Sequence, residues 1–171
     1  MADGSSWATA LLALTGVVVG SSVSYLSQNQ QWTRSSRREV YGAFIVATGS
    51  WLEAMGYLAT ALRLNLPQGQ RDEYWVKVNE ARAASLSMHA QVQMLGRNAT
   101  DTPASTMIEV LQDAHSKLYL ASEAVGQGRQ ADIPHMTPIR GGMEQARDDF
   151  VVSARKDLGW WHRLARGRRS K

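Results

Sequence analysis

Residues 38–62 read REVYGAFIVATGSWLEAMGYLATAL. Within them Tyr41, Phe44, Thr48, Trp51, Met55, Leu58 and Leu62 recur at alternating spacings of three and four. At 3.6 residues per turn this spacing draws one apolar stripe along a helix, the seam of a coiled coil or bundle. A strand would alternate with a period of two, and no such alternation occurs anywhere in the chain. Leu64-Asn65-Leu66-Pro67-Gln68-Gly69 supplies turn chemistry, which predicts a first helix over 34–65.

Downstream the same rhythm returns three times. Tyr74, Val78, Ala81, Ser85, Met88, Val92 and Leu95 mark a second helix over 71–96, opened by Asp72-Glu73 and closed by Gly96. Met107, Leu111, Ala114, Leu118, Ala121 and Val125 mark a third over 103–126, with Thr102 as the expected cap and Pro103 at the first helical position. Met143, Ala146, Phe150, Ala154, Leu158 and Trp161 mark a fourth over 138–165, opening near Thr137-Pro138 or just after Gly142. The expected fold class is therefore all-α. Short and moderate connections favour an antiparallel up-down four-helix bundle over 28–165.

Upstream the text changes character. From Gly4 to Thr33 no residue is charged, and the centre, Trp7 to Leu26, reads WATALLALTGVVVGSSVSYL. Twenty helical residues span about 30 Å, the thickness of a bilayer core. The expectation is a transmembrane helix over 7–27 that continues into the first bundle helix, since no proline precedes Pro67. Two other readings stand beside it. A cleaved signal peptide would use small residues near Gly20, Ser22 and Ser24, but Met-Ala-Asp is not a basic leader. A buried soluble helix would account for the serines and glycines. Arg34, Arg37 and Arg38 follow the apolar run, so the positive-inside rule places residues 1–6 outside and the bundle in the cytoplasm. Gly16, Gly20 and Ser24 share one helix face as a GxxxG-type contact for a second helix.

The far end is basic. Residues 155–171 carry seven Lys/Arg and one Asp, a net of +6, whereas the other 154 residues carry twelve basic and fourteen acidic side chains, a net of −2. An up-down bundle returns this tail to the membrane side. Trp160, Trp161, Arg163, Arg166, Arg168 and Arg169, with Arg34, Arg37 and Arg38, are the expected contacts to an anionic inner leaflet. A solvated helix end is the bland alternative. Nucleic acid is the weaker one, because no recognition module accompanies the charge.

Composition excludes much. The 171 residues have 44% hydrophobic and 20% charged content, which suits one packed domain with an appendage. With no Cys there is no disulfide framework, thiol nucleophile or Cys-based metal site. His89, His115, His135 and His162 lie in separate segments, and none follows a Glu by three residues as di-iron bundles require. Phosphate-loop, dinucleotide, HExxH and GxSxG patterns are all absent. No cofactor, metal site or catalytic residue is expected.

The apolar span, its Gln-rich exit with Trp32, and the run Arg37-Arg38-Glu39-Val40-Tyr41-Gly42-Ala43-Phe44 resemble a group of small actinobacterial single-pass helical membrane proteins. Most members are of unknown function, and some are named as plasmid-transfer or Kil-type proteins. The resemblance covers about residues 7 to 60, is architectural and compositional, and carries no catalytic motif. It implies a membrane-anchored protein without an implied activity. Two function classes follow: a non-enzymatic interaction or scaffold protein that binds a partner or itself, and a membrane-active or transfer-related protein.

Overall fold

The computed structural model describes the backbone of residues 4–96 and 98–159, and the side chains of 34–96 and 99–159. Those residues form four helices and no strand: α1 Gly4–Arg63, α2 Gln68–Leu95, α3 Asn98–Gly126 and α4 Met136–Asp157. The chain divides into two compact units, Met1–Ser36 and Arg37–Lys171. The first contributes the amino-terminal part of α1. The second is a helical bundle.

In the bundle the α1 seam is wholly interior: Tyr41, Phe44, Thr48, Trp51, Met55, Leu58 and Leu62 are all buried. Thr48 is tolerated there because its Oγ1 donates to the Phe44 carbonyl at 2.9 Å, inside its own helix. Met107, Leu111, Ala114, Leu118 and Ala121 bury the α3 face, and Met143, Ala146, Phe150 and Ala154 bury that of α4. The α2 seam is thinner. Only Val78, Ser85 and Val92 are buried, one per heptad, and Leu95 is exposed.

Side-chain contacts set the direction of each helix. Arg37 meets Asp157, Phe44 meets Phe150, and Arg63 donates to the carbonyl of Pro134, so α4 runs opposite to α1. Phe44 stacks with His89 and Tyr57 with Tyr74, so α2 also runs opposite to α1. Trp75 bonds Ser122 and His89 approaches Ser105, which makes α3 antiparallel to α2. This is the up-down-up-down order that the short connections imply.

The helix boundaries depart from the sequence expectation at prolines and at residues with left-handed backbone. Helix α1 ends at Arg63 rather than 65, because Asn65 adopts a left-handed φ of 49° in the turn. Helix α2 begins at Gln68 rather than 71, since Pro67 stands just outside as the cap and Gln70 and Arg71 bond back to its carbonyl. Helix α3 begins at Asn98, so Pro103 lies inside it and Thr102 is a helical residue whose carbonyl accepts from Thr106. Burial of Thr100 and Ala104 draws that first turn into the bundle. Helix α4 begins at Met136 rather than 138, with Pro138 in a first turn whose N–H groups have no helical acceptor anyway. It ends at Asp157 rather than 165: Leu158 bonds back to Ala154, and Gly159 takes a φ of 72°, the left-handed stop that glycine permits.

Among the described residues no helix is long and apolar enough to cross a membrane. The side chains of 7–27, the segment expected to do so, lie outside those residues.

Candidate functional site

One end of the bundle gathers the polar side chains that sequence reading scattered. Asp157, in the last turn of α4, has a side chain only 1% exposed. Tyr41 donates its hydroxyl to Asp157 Oδ2 at 2.7 Å, and Arg37 Nη1 lies 3.4 Å from Oδ1. The Tyr41 hydroxyl also sits 3.5 Å from Thr100 Oγ1, in the first turn of α3. Three helices thus meet at the Tyr41 hydroxyl, which joins Thr100 of α3 to the Asp157 carboxylate of α4. A buried carboxylate needs such partners, because an unpaired charge out of water is costly.

The connection between α2 and α3 closes over the same group. Gly96 ends α2 with its N–H on the Val92 carbonyl. Its backbone is extended (φ −76°), so left-handed freedom is not why glycine stands there. Space is the reason: a Cβ would lie 2.5 Å from the Val92 carbonyl oxygen, 2.6 Å from Thr100 Oγ1 and 3.2 Å from the Tyr41 hydroxyl.

Burial pushes the Tyr41 hydroxyl up to about 12, the Thr100 bond opposes this, and the bond to Asp157 and its charge add to it. Tyr41 therefore stays a proton donor at neutral pH and is poorly placed to act as a base. Phe150 packs edge-on to the Tyr41 ring at 5.5 Å and holds it in place. The group is a fastening, and its chemistry is that of a clasp between helices.

The expected membrane-facing arginines divide here. Arg34 and Arg38 are exposed, whereas Arg37 is half-buried and engaged with Asp157. Trp160, Trp161, Arg163, Arg166, Arg168 and Arg169 lie outside the described residues, and the described surroundings do not extend to Gly16, Gly20 and Ser24.

A second cluster lies midway along the bundle. His115 packs against Trp51 at 5.9 Å and Trp75 at 5.4 Å between ring centroids. Its Nδ1 and the Trp51 Nε1 are buried without a hydrogen-bond partner. Burial, and secondarily the charge of Arg82, lowers the His115 pKa. Burial likewise lowers that of His89, against the pull of Asp101. Both imidazoles lie where helices pack together, His89 against Phe44 and His115 against Trp51 and Trp75, and burial favours their neutral form. Among the described residues no three His, Asp or Glu side chains group as metal ligands.

No protein-family model, curated protein or solved structure matches this chain.

Proposed function

We propose that the protein is a single-pass, membrane-anchored helical interaction or scaffold protein whose bundle faces the cytoplasm. The observation that carries this reading is the 30-residue uncharged run followed at once by arginines. The clasp supports it from the other side. Arg37 opens the bundle unit and Asp157 stands at the start of the basic tail, and the two side chains meet. The residues that follow the apolar run and those that open the tail therefore share one end of the bundle. A bundle hung from a bilayer by its first helix would bring the tail's Trp and Arg residues to the anionic leaflet. Such a module presents helix faces and charge, and binding or self-association is the work it is equipped for. GxxxG packing through Gly16, Gly20 and Ser24 offers the oligomer contact within the membrane.

Alkaline carbonate extraction of membranes tests the anchor. Retention in the pellet is expected, and release into the supernatant would refute integral insertion. A peptide of residues 155–171 should bind anionic vesicles in a salt-sensitive way and ignore neutral ones. A second reading, a membrane-active or plasmid-transfer-related protein, is favoured by the resemblance over residues 7 to 60. Growth arrest on mild overexpression would select it, and a stable co-purifying protein would select the scaffold.

A further inference from the structure

At the end of the bundle away from the clasp, a cleft of about 240 Å³ opens between α1, the α3–α4 loop and the first turn of α4. Arg63 enters from α1, His135 from the loop, and Thr137 and Arg140 from α4. Gly56 and Thr60 line the α1 wall, and no carboxylate lines the cleft.

The two guanidinium groups differ in how they are held. Arg63 donates through Nη2 to the Pro134 carbonyl at 2.6 Å, which fixes the group and leaves its other N–H donors unspent. Arg140 makes no ion pair or hydrogen bond among the described residues, and its Nη2 lies 3.5 Å from where a Cβ on Gly56 would stand. That is ordinary contact distance, so the guanidinium rests close against α1. The Thr60 hydroxyl donates to the Gly56 carbonyl at 2.9 Å, so it is not a donor toward the cleft. The N–H groups of Met136 and Thr137, in the opening turn of α4, add donors beside these side chains. Two cationic side chains share this concavity and no carboxylate lines it, so its charge favours an anion.

We propose that this cleft binds a phosphate group, as inorganic phosphate or on a small phosphate monoester. Paired guanidiniums suit the geometry of phosphate oxygens. Size limits the rest of the ligand, since the cleft is smaller than the roughly 300–1,000 Å³ of pockets that hold drug-sized molecules. A phosphate group could come from a soluble anion or from a lipid headgroup. The cleft stands about 28 Å along α1 from Arg37, counted from Gly56 at 1.5 Å per residue.

The test is calorimetric titration of the purified full chain with inorganic phosphate at fixed ionic strength. In parallel it is titrated with a short-chain phosphatidic acid below its micelle concentration. Saturable binding is expected, weakened tenfold or more by Arg140→Gln or Arg63→Gln and unchanged by Arg147→Gln, an exposed α4 arginine outside the cleft. Circular dichroism should match the parent for all three exposed substitutions. Tighter binding of phosphate than of the lipid assigns a soluble anion, and the reverse assigns a headgroup. Absence of saturable binding of either probe, or equal binding by parent and Arg140→Gln, overturns the proposal.

Discussion

Replacing Tyr41 by Phe removes a single hydroxyl and leaves the ring packed on Phe150. That hydroxyl donates at 2.7 Å to a carboxylate whose side chain is 1% exposed. A hydrogen bond to a charged group contributes about 1.5–3 kcal/mol, so Tyr41→Phe should lower stability by that amount. Asp157→Ala should cost more, about 3–5 kcal/mol, because it also strands Arg37 half-buried without its partner. If the two residues act through one bond, the double variant should fall short of the summed losses by about 1.5–3 kcal/mol. Urea unfolding of residues 34–171, followed by circular dichroism, measures all four corners of the cycle. An independent signature lies at alkaline pH. Tyr41 titrates near 12 in the folded protein against 10.0 unfolded, so its contribution is complete below pH 10 and is lost as pH rises toward 12. Tyr41→Phe should remove that part of the alkaline loss. Tyr57 and Tyr119, raised by Glu53 and Glu123, are exposed and remain in both proteins. Additive variants, together with an unchanged alkaline slope, would refute the clasp.

Other consequences are simpler to read. Trp51→Ala empties the largest fully buried side chain and should cost about 3–5 kcal/mol in the same unfolding assay; an unchanged midpoint would remove Trp51 from the core. Gly96→Ala forces a Cβ against the Val92 carbonyl oxygen and should destabilise by about 1–3 kcal/mol, whereas a neutral result would mean that the α2–α3 connection yields freely. His89 and His115 have folded pKa values below the unfolded 6.5, so the folded state binds fewer protons. Their contribution is complete above pH 6.5 and declines as pH falls below it. His115→Gln should flatten the loss of stability between pH 7 and 5, and an identical pH profile would contradict the burial of that ring.

The bundle was legible because seven seam positions on α1 keep one spacing, and the faces of α3 and α4 follow the same rule. Proline misled the boundaries: Pro67, Pro103 and Pro138 stand respectively before, within and in the first turn of a helix, and a linear pattern does not separate those cases. Trp75 lies one residue off the α2 seam, where the spacing rule does not reach, yet it packs on His115 and bonds Ser122 at 2.9 Å. The clasp was invisible to local patterns, since Arg37 and Asp157 stand 120 residues apart. One signal did exist. Asp157 is the single acid among the seventeen residues 155–171, and an isolated acid in a basic run needs a reason. The phosphate cleft left no motif at all, because its arginines come from the end of one helix and the start of another.

The absence of native cysteine makes the central claim directly measurable, since any introduced thiol is unique. Ser5→Cys lies in the expected external segment, and Ser87→Cys lies on the exposed face of α2. A membrane-impermeant maleimide applied to intact cells should label Ser5→Cys, and should label Ser87→Cys only after the membrane is permeabilised. Labelling of Ser87→Cys in intact cells, or equal labelling of both before permeabilisation, would contradict a bundle held in the cytoplasm by a single amino-terminal span.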